Sequence, residues 1–427
     1  MMRFSFLLIL VLWSCNSAKT VFEVVELPRP EKPKDAYAQI EPSIAIHPRN
    51  QNEMIAGTVM DDYYYSSDGG KTWESEVLTS PYGVSGDPVV HIDNTGRFYY
   101  VHLSDPVESH RLDRIICQYS DTISGDWTSS YTEPSGKKVQ DKPWIAECPK
   151  TGNMYLTWTQ FDAYKSADPQ DSSVIMFSKS TDRGEHWSAP KRISKLAGDC
   201  LDGNETVEGA VPAVGLDGSV YVAWTGPHGI RFNRSYDYGE TWLEEELKVS
   251  DHPGGWSFKI PGIYRANGLP ITKVDQSEGP CKGRIYVNWA DQRYGRHNTD
   301  IFMAYSDDRG KTWSDAIRVN QDETEHQQFF TWMDIDQSTG YLYFIYYDRR
   351  NHDDNQTDVY LAYSRDGGQT IIEHKISEKP FLPDGEIFFG DYLNIAAVKG
   401  IIRPIWPSMH NQNIRLHVAL VDAIKLK

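Results

Sequence analysis

Ser66-Ser67-Asp68-Gly69-Gly70-Lys71-Thr72-Trp73 recurs along the chain. It returns as Ser180-Thr181-Asp182-Arg183-Gly184-Glu185-His186-Trp187, and again at 235–242 and 306–313. A worn copy, Ser364-Arg365-Asp366-Gly367-Gly368-Gln369-Thr370, is followed by Ile371 instead of Trp. A more eroded one sits at Ser120-Asp121 with Trp127. The residue types suit a tight turn. Ser and Asp accept hydrogen bonds from turn backbone, Gly takes a conformation other residues resist, and Trp packs beneath. The motif therefore reads as structural, with its Asp residues forming turns rather than doing chemistry.

Upstream of each copy lie alternating apolar runs that read as strands. Seven first strands are expected at 42–46, 88–92, 143–146, 211–214, 269–272, 331–335 and 392–396, each followed by a second. Their spacing averages roughly 55–60 residues, the length of a four-stranded propeller blade. The seventh unit has no octapeptide after its third strand, and residues 21–27 can supply the missing fourth. Joining the termini in one blade leaves no free edge. The expected fold is all-β: one β-propeller domain over 16–427 with seven four-stranded blades, or six if the first or last unit is a decoration.

The 427 residues include 13 Trp and 25 Tyr, a bias towards sheet. The net charge of −17 argues against nucleic acid or an anionic membrane surface as a partner. Residues 1–15 stand apart. After Met1-Met2-Arg3, residues 4–13 form an apolar run too short to span a bilayer and of the length of a signal-peptide core. The run leads into Leu12-Trp13-Ser14-Cys15, which resembles a bacterial lipobox. That resemblance implies lipidation at Cys15 and a place in the bacterial cell envelope, with membrane contact only through the anchor. Cys117, Cys148, Cys200 and Cys281 lack metal-site spacing, and in an oxidising compartment could pair in any of three ways. No acidic run has calcium-loop spacing, and no cofactor is expected.

In an antiparallel blade the start of the first strand and the end of the second share a face, and the octapeptide turns lie on the other. First-strand starts carry Glu41, Asp87, Asp141 with Lys142, Glu208, Arg265 with Asn267, and Asp391 with Tyr392. Second-strand ends carry His102, Gln160 with Asp162, His228, Asp291 with Arg293, Asp348 with Arg349 and Arg350, and His410. Trp289-Ala290-Asp291-Gln292-Arg293 and Tyr347-Asp348-Arg349-Arg350 are aligned copies in neighbouring units. Aromatic faces and fork-shaped donors together suit sugar rings and their hydroxyls or carboxylates. The ordinary alternative is that such Asp–Arg pairs brace adjacent blades.

The octapeptide resembles the Asp-box, or BNR repeat, of sialidase-like propellers. That family binds a substrate carboxylate with three arginines, uses a Tyr nucleophile paired with Glu, and has an Asp acid/base, an exception to the two-carboxylate scheme. The resemblance implies Arg265, Arg293 and Arg349 as the clamp, Tyr392 or Tyr264 with Glu208 as nucleophile and base, and Asp87 or Asp291 as acid. Asn267, Asp348, Asp391 and His410 complete the expected substrate-binding set. Two features depart from sialidases: there is no Arg-Ile-Pro motif, and seven units are counted where sialidases have six. Seven-bladed polysaccharide lyases use His and Tyr on uronic-acid polymers, a chemistry His102, His228 and His410 would fit. The expectation is a monomeric glycosidase acting on a glycan, with a lyase or a non-catalytic glycan- or protein-binding lipoprotein as alternatives.

Overall fold

A computed structural model describes residues 22–29, 39–107 and 110–426. The leader and Cys15 lie outside the described residues. Seven four-stranded sheets form a ring. Their inner strands are Ser43–Ile46, Val89–Ile92, Val139–Glu147, Glu208–Val214, Ile271–Val274, Gln328–Asp336 and Asn394–Val398, in blades 1 to 7. Each inner strand packs against the next and the seventh against the first. This is the seven-bladed propeller that the repeat spacing implies. The inner strand of blade 5 starts two residues later than expected, leaving Leu269 and Pro270 on the loop before it.

Glu23–Glu26 pairs antiparallel with Asn413–Asp422, the third strand of blade 7, with Glu23 opposite Leu420 and Glu26 opposite His417. The N-terminal strand thus closes the ring. A two-stranded piece, Ser257–Phe258 with Ala266–Asn267, precedes blade 5 and carries the loop that holds Arg265.

The turns behave as their residues dictate. Ser66 Oγ donates to Asp68 Oδ1 at 2.9 Å and accepts from the Gly70 N–H at 2.9 Å. Asp68 accepts the Thr72 N–H at 2.9 Å and the Thr72 hydroxyl at 2.7 Å, and Trp73 Nε1 donates to Gly70 O at 2.9 Å. Where Thr becomes His186, its Nδ1 takes over the contact to Asp182, at 2.7 Å. In the eroded copy Thr122 stands where the motif has Asp, and Asp121 beside it pairs with Arg97, at 2.8 Å. All four cysteines among the described residues are free, so none of the three disulfide pairings forms.

The opposite face is shaped by kinks at the starts of the inner strands. Pairing slips between Asp141 and Trp144, between Glu208 and Val211, and between Phe329 and Trp332. At the matching position of five blades stands a residue in the left-handed region: Glu41 (φ 52°), Asp87 (49°), Lys142 (48°), Gly209 (78°) and Phe330 (51°). Four of the five are not glycine, a conformation that costs roughly 1 kcal/mol or more each and clusters at functional sites. Beneath them Trp144 and Trp332 meet across the axis, centroids 4.3 Å apart, with Tyr392 5.4 Å from Trp144. These rings close the channel towards this face. On the Asp-box side it stays open as a cavity of about 320 Å³, lined by residues such as Ile46, His91, Val274 and Asp334.

Candidate functional site

Where the inner strands begin, five blades contribute to one sunken cluster. The Lys142 ammonium lies 3.1 Å from Asp391 Oδ2, 3.7 Å from Glu208 Oε1 and 3.9 Å from Asp141 Oδ2. The Lys142 N–H donates to Asp87 Oδ2 at 3.1 Å. Arg265 Nε donates to Asp391 Oδ1 at 2.8 Å, its Nη2 donates to Asp391 Oδ2, and its Nη1 donates to Asp202 Oδ2 at 3.1 Å. Asn267 Nδ2 donates to the Asp391 carbonyl at 2.8 Å. Lys142, Gly209, Asn267, Asp391 and Tyr392 line a small pocket above the paired tryptophans.

Burial and neighbours split the acids into two kinds. Burial pushes Glu208 up to about 8, against the pull of Lys142. Burial, with Asp391 nearby, lifts Glu41 to about 7, and burial with Glu41 lifts Asp87 to about 6. Burial also raises Asp141 well above the ordinary range. Burial opposes the charge on Asp391 too, but Lys142 and Arg265 outweigh it and hold this carboxyl below its ordinary value. Asp202 is held low in the same way by Lys142, Lys165 and Arg265. Lys142 stays protonated because Asp141, Glu208 and Asp391 overcome its burial.

Two polar groups here are buried with no hydrogen bond: both carboxyl oxygens of Glu208, fully buried, and the hydroxyl of Tyr392, 8% exposed. Native structures rarely tolerate such groups without a purpose. Burial, followed by Asp87 and Glu41, raises the Tyr392 hydroxyl well above its ordinary value, so it is a hydrogen-bond donor and a poor oxyanion. Tyr264 stands exposed at the rim, edge-to-face with Phe388 at 5.9 Å, and the Arg265 guanidinium covers Phe388 at 5.2 Å.

The other expected residues sit elsewhere. Arg293 turns back on Asp291 (Nη2 to Oδ2, 2.5 Å) and lies over Phe302. Arg349 donates to the Pro261 carbonyl at 2.7 Å and to Thr357 at 3.0 Å. Asp348 is bound by Arg350, which also holds Glu373. These are contacts within blades 5 and 6 and to the loop before blade 5, and no contact joins Arg293 or Arg349 to Arg265. His410 is exposed beside a cleft of about 250 Å³ on blade 7, near Trp406, Ser408 and His417. His102 is buried: its Nδ1 donates to Leu103 O at 2.8 Å, Nε2 accepts from Gln118 at 3.1 Å, and burial lowers it to about 4. His228 is exposed on a turn of blade 4.

Residues 64–75 and 304–315 match the model of the BNR/Asp-box repeat. The chain carries Asp-box repeats on a seven-bladed propeller. No curated protein matches this Asp-box propeller by sequence. Among solved structures it is similar to a protein of unknown function from Dyadobacter fermentans, 14% identical with a TM-score of 0.51, covering 93% of this chain and 98% of that one. It is also similar to a polysaccharide lyase, an ulvan lyase, at 12% identity and a TM-score of 0.51, covering 88% and 91%. A Hadza microbial sialidase aligns at 16% identity with a TM-score of 0.47, covering 86% and 73%. At such identities the likeness is one of fold.

Asp202, with Tyr164 and Lys165 bonded to it at 2.7 and 2.9 Å, is the part of the cluster that strand reading missed. It sits in the loop between blades 3 and 4, outside any repeat, at φ 58°. The Cys200-Leu201-Asp202-Gly203-Asn204 turn composition was the available signal, and it does not say where the loop reaches.

Proposed function

We propose that the chain is a glycoside hydrolase whose acid and base are Glu208 and Asp391. The observation that supports this most is the pairing of an unbonded, buried, protonated carboxyl with an ionised one around the same ammonium. Two contacts to one nitrogen put these carboxyls within about 7 Å of each other, inside the span over which carboxyl pairs cleave glycosides. Environments that push two carboxyls apart in this way assign the acid and the base. Glu208 donates a proton to the leaving oxygen. Asp391, kept anionic by Lys142 and Arg265, activates water or attacks the anomeric carbon. Tyr392 donates a hydrogen bond to the sugar. The protonated tyrosine argues for a two-carboxylate route over the Tyr nucleophile of sialidases. A His–Tyr elimination is less favoured, because His102 is buried against Leu103 and Gln118, His228 is exposed on a turn, and His410 lies at the blade 7 cleft.

The test is release of reducing ends from a mixed glycan panel, with absorbance of unsaturated products read in parallel. Hydrolysis by the native chain should fall about 100- to 10,000-fold in Glu208→Gln and in Asp391→Asn, the range for removing one acid–base group. Full activity in either variant would overturn the assignment. We further propose that the enzyme works at the cell envelope, tethered through Cys15. Radiolabelled palmitate should enter the native chain and not Cys15→Ser.

A further inference from the structure

Resting on that hydrolase reading, we propose that the sugar cleaved at this pocket is neutral, not a sialic or uronic acid. The reason is what the cations are already doing. Recognition of a sugar carboxylate calls for a guanidinium or ammonium with donors to spare, since a forked donor pairs bidentately with a carboxylate. Arg265 is the arginine of the cluster, but it does not line the pocket, and the Nε–Nη2 edge that could pair with a carboxylate is given to Asp391, with one Nη1 N–H to Asp202. Lys142, which does line the pocket, is held by the Asp391 carboxylate at 3.1 Å, with Glu208 and Asp141 further off at 3.7 and 3.9 Å. Lys165 is held by Asp202 at 2.9 Å. Arg293 and Arg349, the other members of a three-arginine clamp, do not line the pocket: Arg293 is bonded to Asp291, and Arg349 to the Pro261 carbonyl and Thr357.

The acids point the same way. Asp391 lines the pocket and is ionised, so an incoming carboxylate would meet a like charge instead of a partner. What the pocket offers freely suits a hydroxyl: the unbonded hydroxyl of Tyr392, which lines it. The exposed ring of Tyr264 at the rim supplies a face for a sugar ring without requiring charge.

The experiment uses the full soluble chain with methylumbelliferyl β-galactoside, β-N-acetylglucosaminide, α-fucoside, β-glucuronide and α-N-acetylneuraminide. Saturation-transfer NMR with the five free sugars gives a readout independent of turnover. The expected result is kcat/KM on at least one neutral glycoside about 100-fold or more above both acidic ones, the discrimination typical of a site that lacks a polar partner. Asp202→Asn, which frees one Arg265 donor, should narrow that ratio by about tenfold. Acidic substrates cleaved as well as or better than every neutral one would overturn the proposal. Contact with a neutral sugar alone, without turnover, would uphold the neutral pocket and sink the hydrolase. Neither contact nor turnover with any of the five would overturn both.

Discussion

The Lys142 ammonium meets the Asp391 carboxylate at 3.1 Å across the ring, from blade 3 to blade 7, with both residues almost wholly buried. A buried pair is costly to desolvate, and removing one member costs more than replacing both, because the survivor is left charged and unpaired. Lys142→Met should therefore lower the unfolding free energy by about 3 kcal/mol and abolish hydrolysis. Lys142→Met with Asp391→Asn should recover part of that stability without recovering activity. Urea unfolding of the two single variants and the double checks this. Purely additive losses would mean the pair is not coupled.

The acids predict opposite pH limbs. Glu208 titrates near 8 in the folded chain, so the proton it donates is lost, and hydrolysis should fall, as pH rises through that value. Asp391 is held below the ordinary carboxylate range, so activity should persist well into acid before it fails. The stability effect of Glu208 has its own sign. The folded state binds this proton more tightly than the unfolded chain, so stability drains away as pH rises from the ordinary 4.5 towards 8. Glu208→Gln should be inactive yet more heat-stable than the native chain at pH 8, with the gap closing near pH 4. An unchanged melting temperature at pH 8 would show that Glu208 is not held protonated.

Much of the fold was legible because its signals are local. The Ser-x-Asp-x-Gly turn is specified by five adjacent residues, so its position survives even where Trp becomes Ile371. The closing strand was legible from a count of strands. The cluster was legible only in part. Glu208, Arg265, Asn267, Asp391 and Tyr392 fall at or just before strand starts, where alternation of strand signals places them, and the pairing slip after Glu208 marks one of the kinks on this face. Asp291 with Arg293, and Asp348 with Arg349 and Arg350, match one another in sequence as a functional pair would, yet the spacing of two residues lets each Asp meet an Arg of its own strand end. Sequence alignment between units could not tell a brace from a clamp, since both need the same residue types.

The Asp-boxes lie on the face away from the cluster, so damage to one should affect stability and spare chemistry. Asp68→Ala removes acceptors for the Thr72 N–H and hydroxyl, the Lys71 N–H and the Ser66 hydroxyl. The turn is solvent-exposed enough for water to replace some of these, so the loss should be about 1–3 kcal/mol. Asp121→Ala, in the copy where Thr122 takes the place of the turn Asp, removes one of two carboxylate partners of Arg97, Glu185 remaining, and should cost less. Parallel melting curves and rate assays separate the two effects. A large fall in kcat for Asp68→Ala, at unchanged fold, would place the active face on the wrong side.

Ring closure rests on one short strand. Glu23–Glu26 covers the edge of Asn413–Asp422, and the buried Leu27 donates its N–H to Leu416 O at 2.9 Å just beyond it. Without that strand, a ten-residue edge with Leu416, Val418 and Val421 buried behind it would present unpaired backbone groups, the usual template for association between chains. A soluble chain starting after Arg29 should therefore melt at lower temperature and elute as dimers or larger species. A synthetic peptide of residues 21–29 should restore both the elution position and the melting temperature, by adding the missing strand to the sheet. The peptide should do nothing to the intact chain, whose edge is occupied. A truncated chain that stays monomeric with native stability would show that the ring is held by packing between blades, with the terminal strand a passenger.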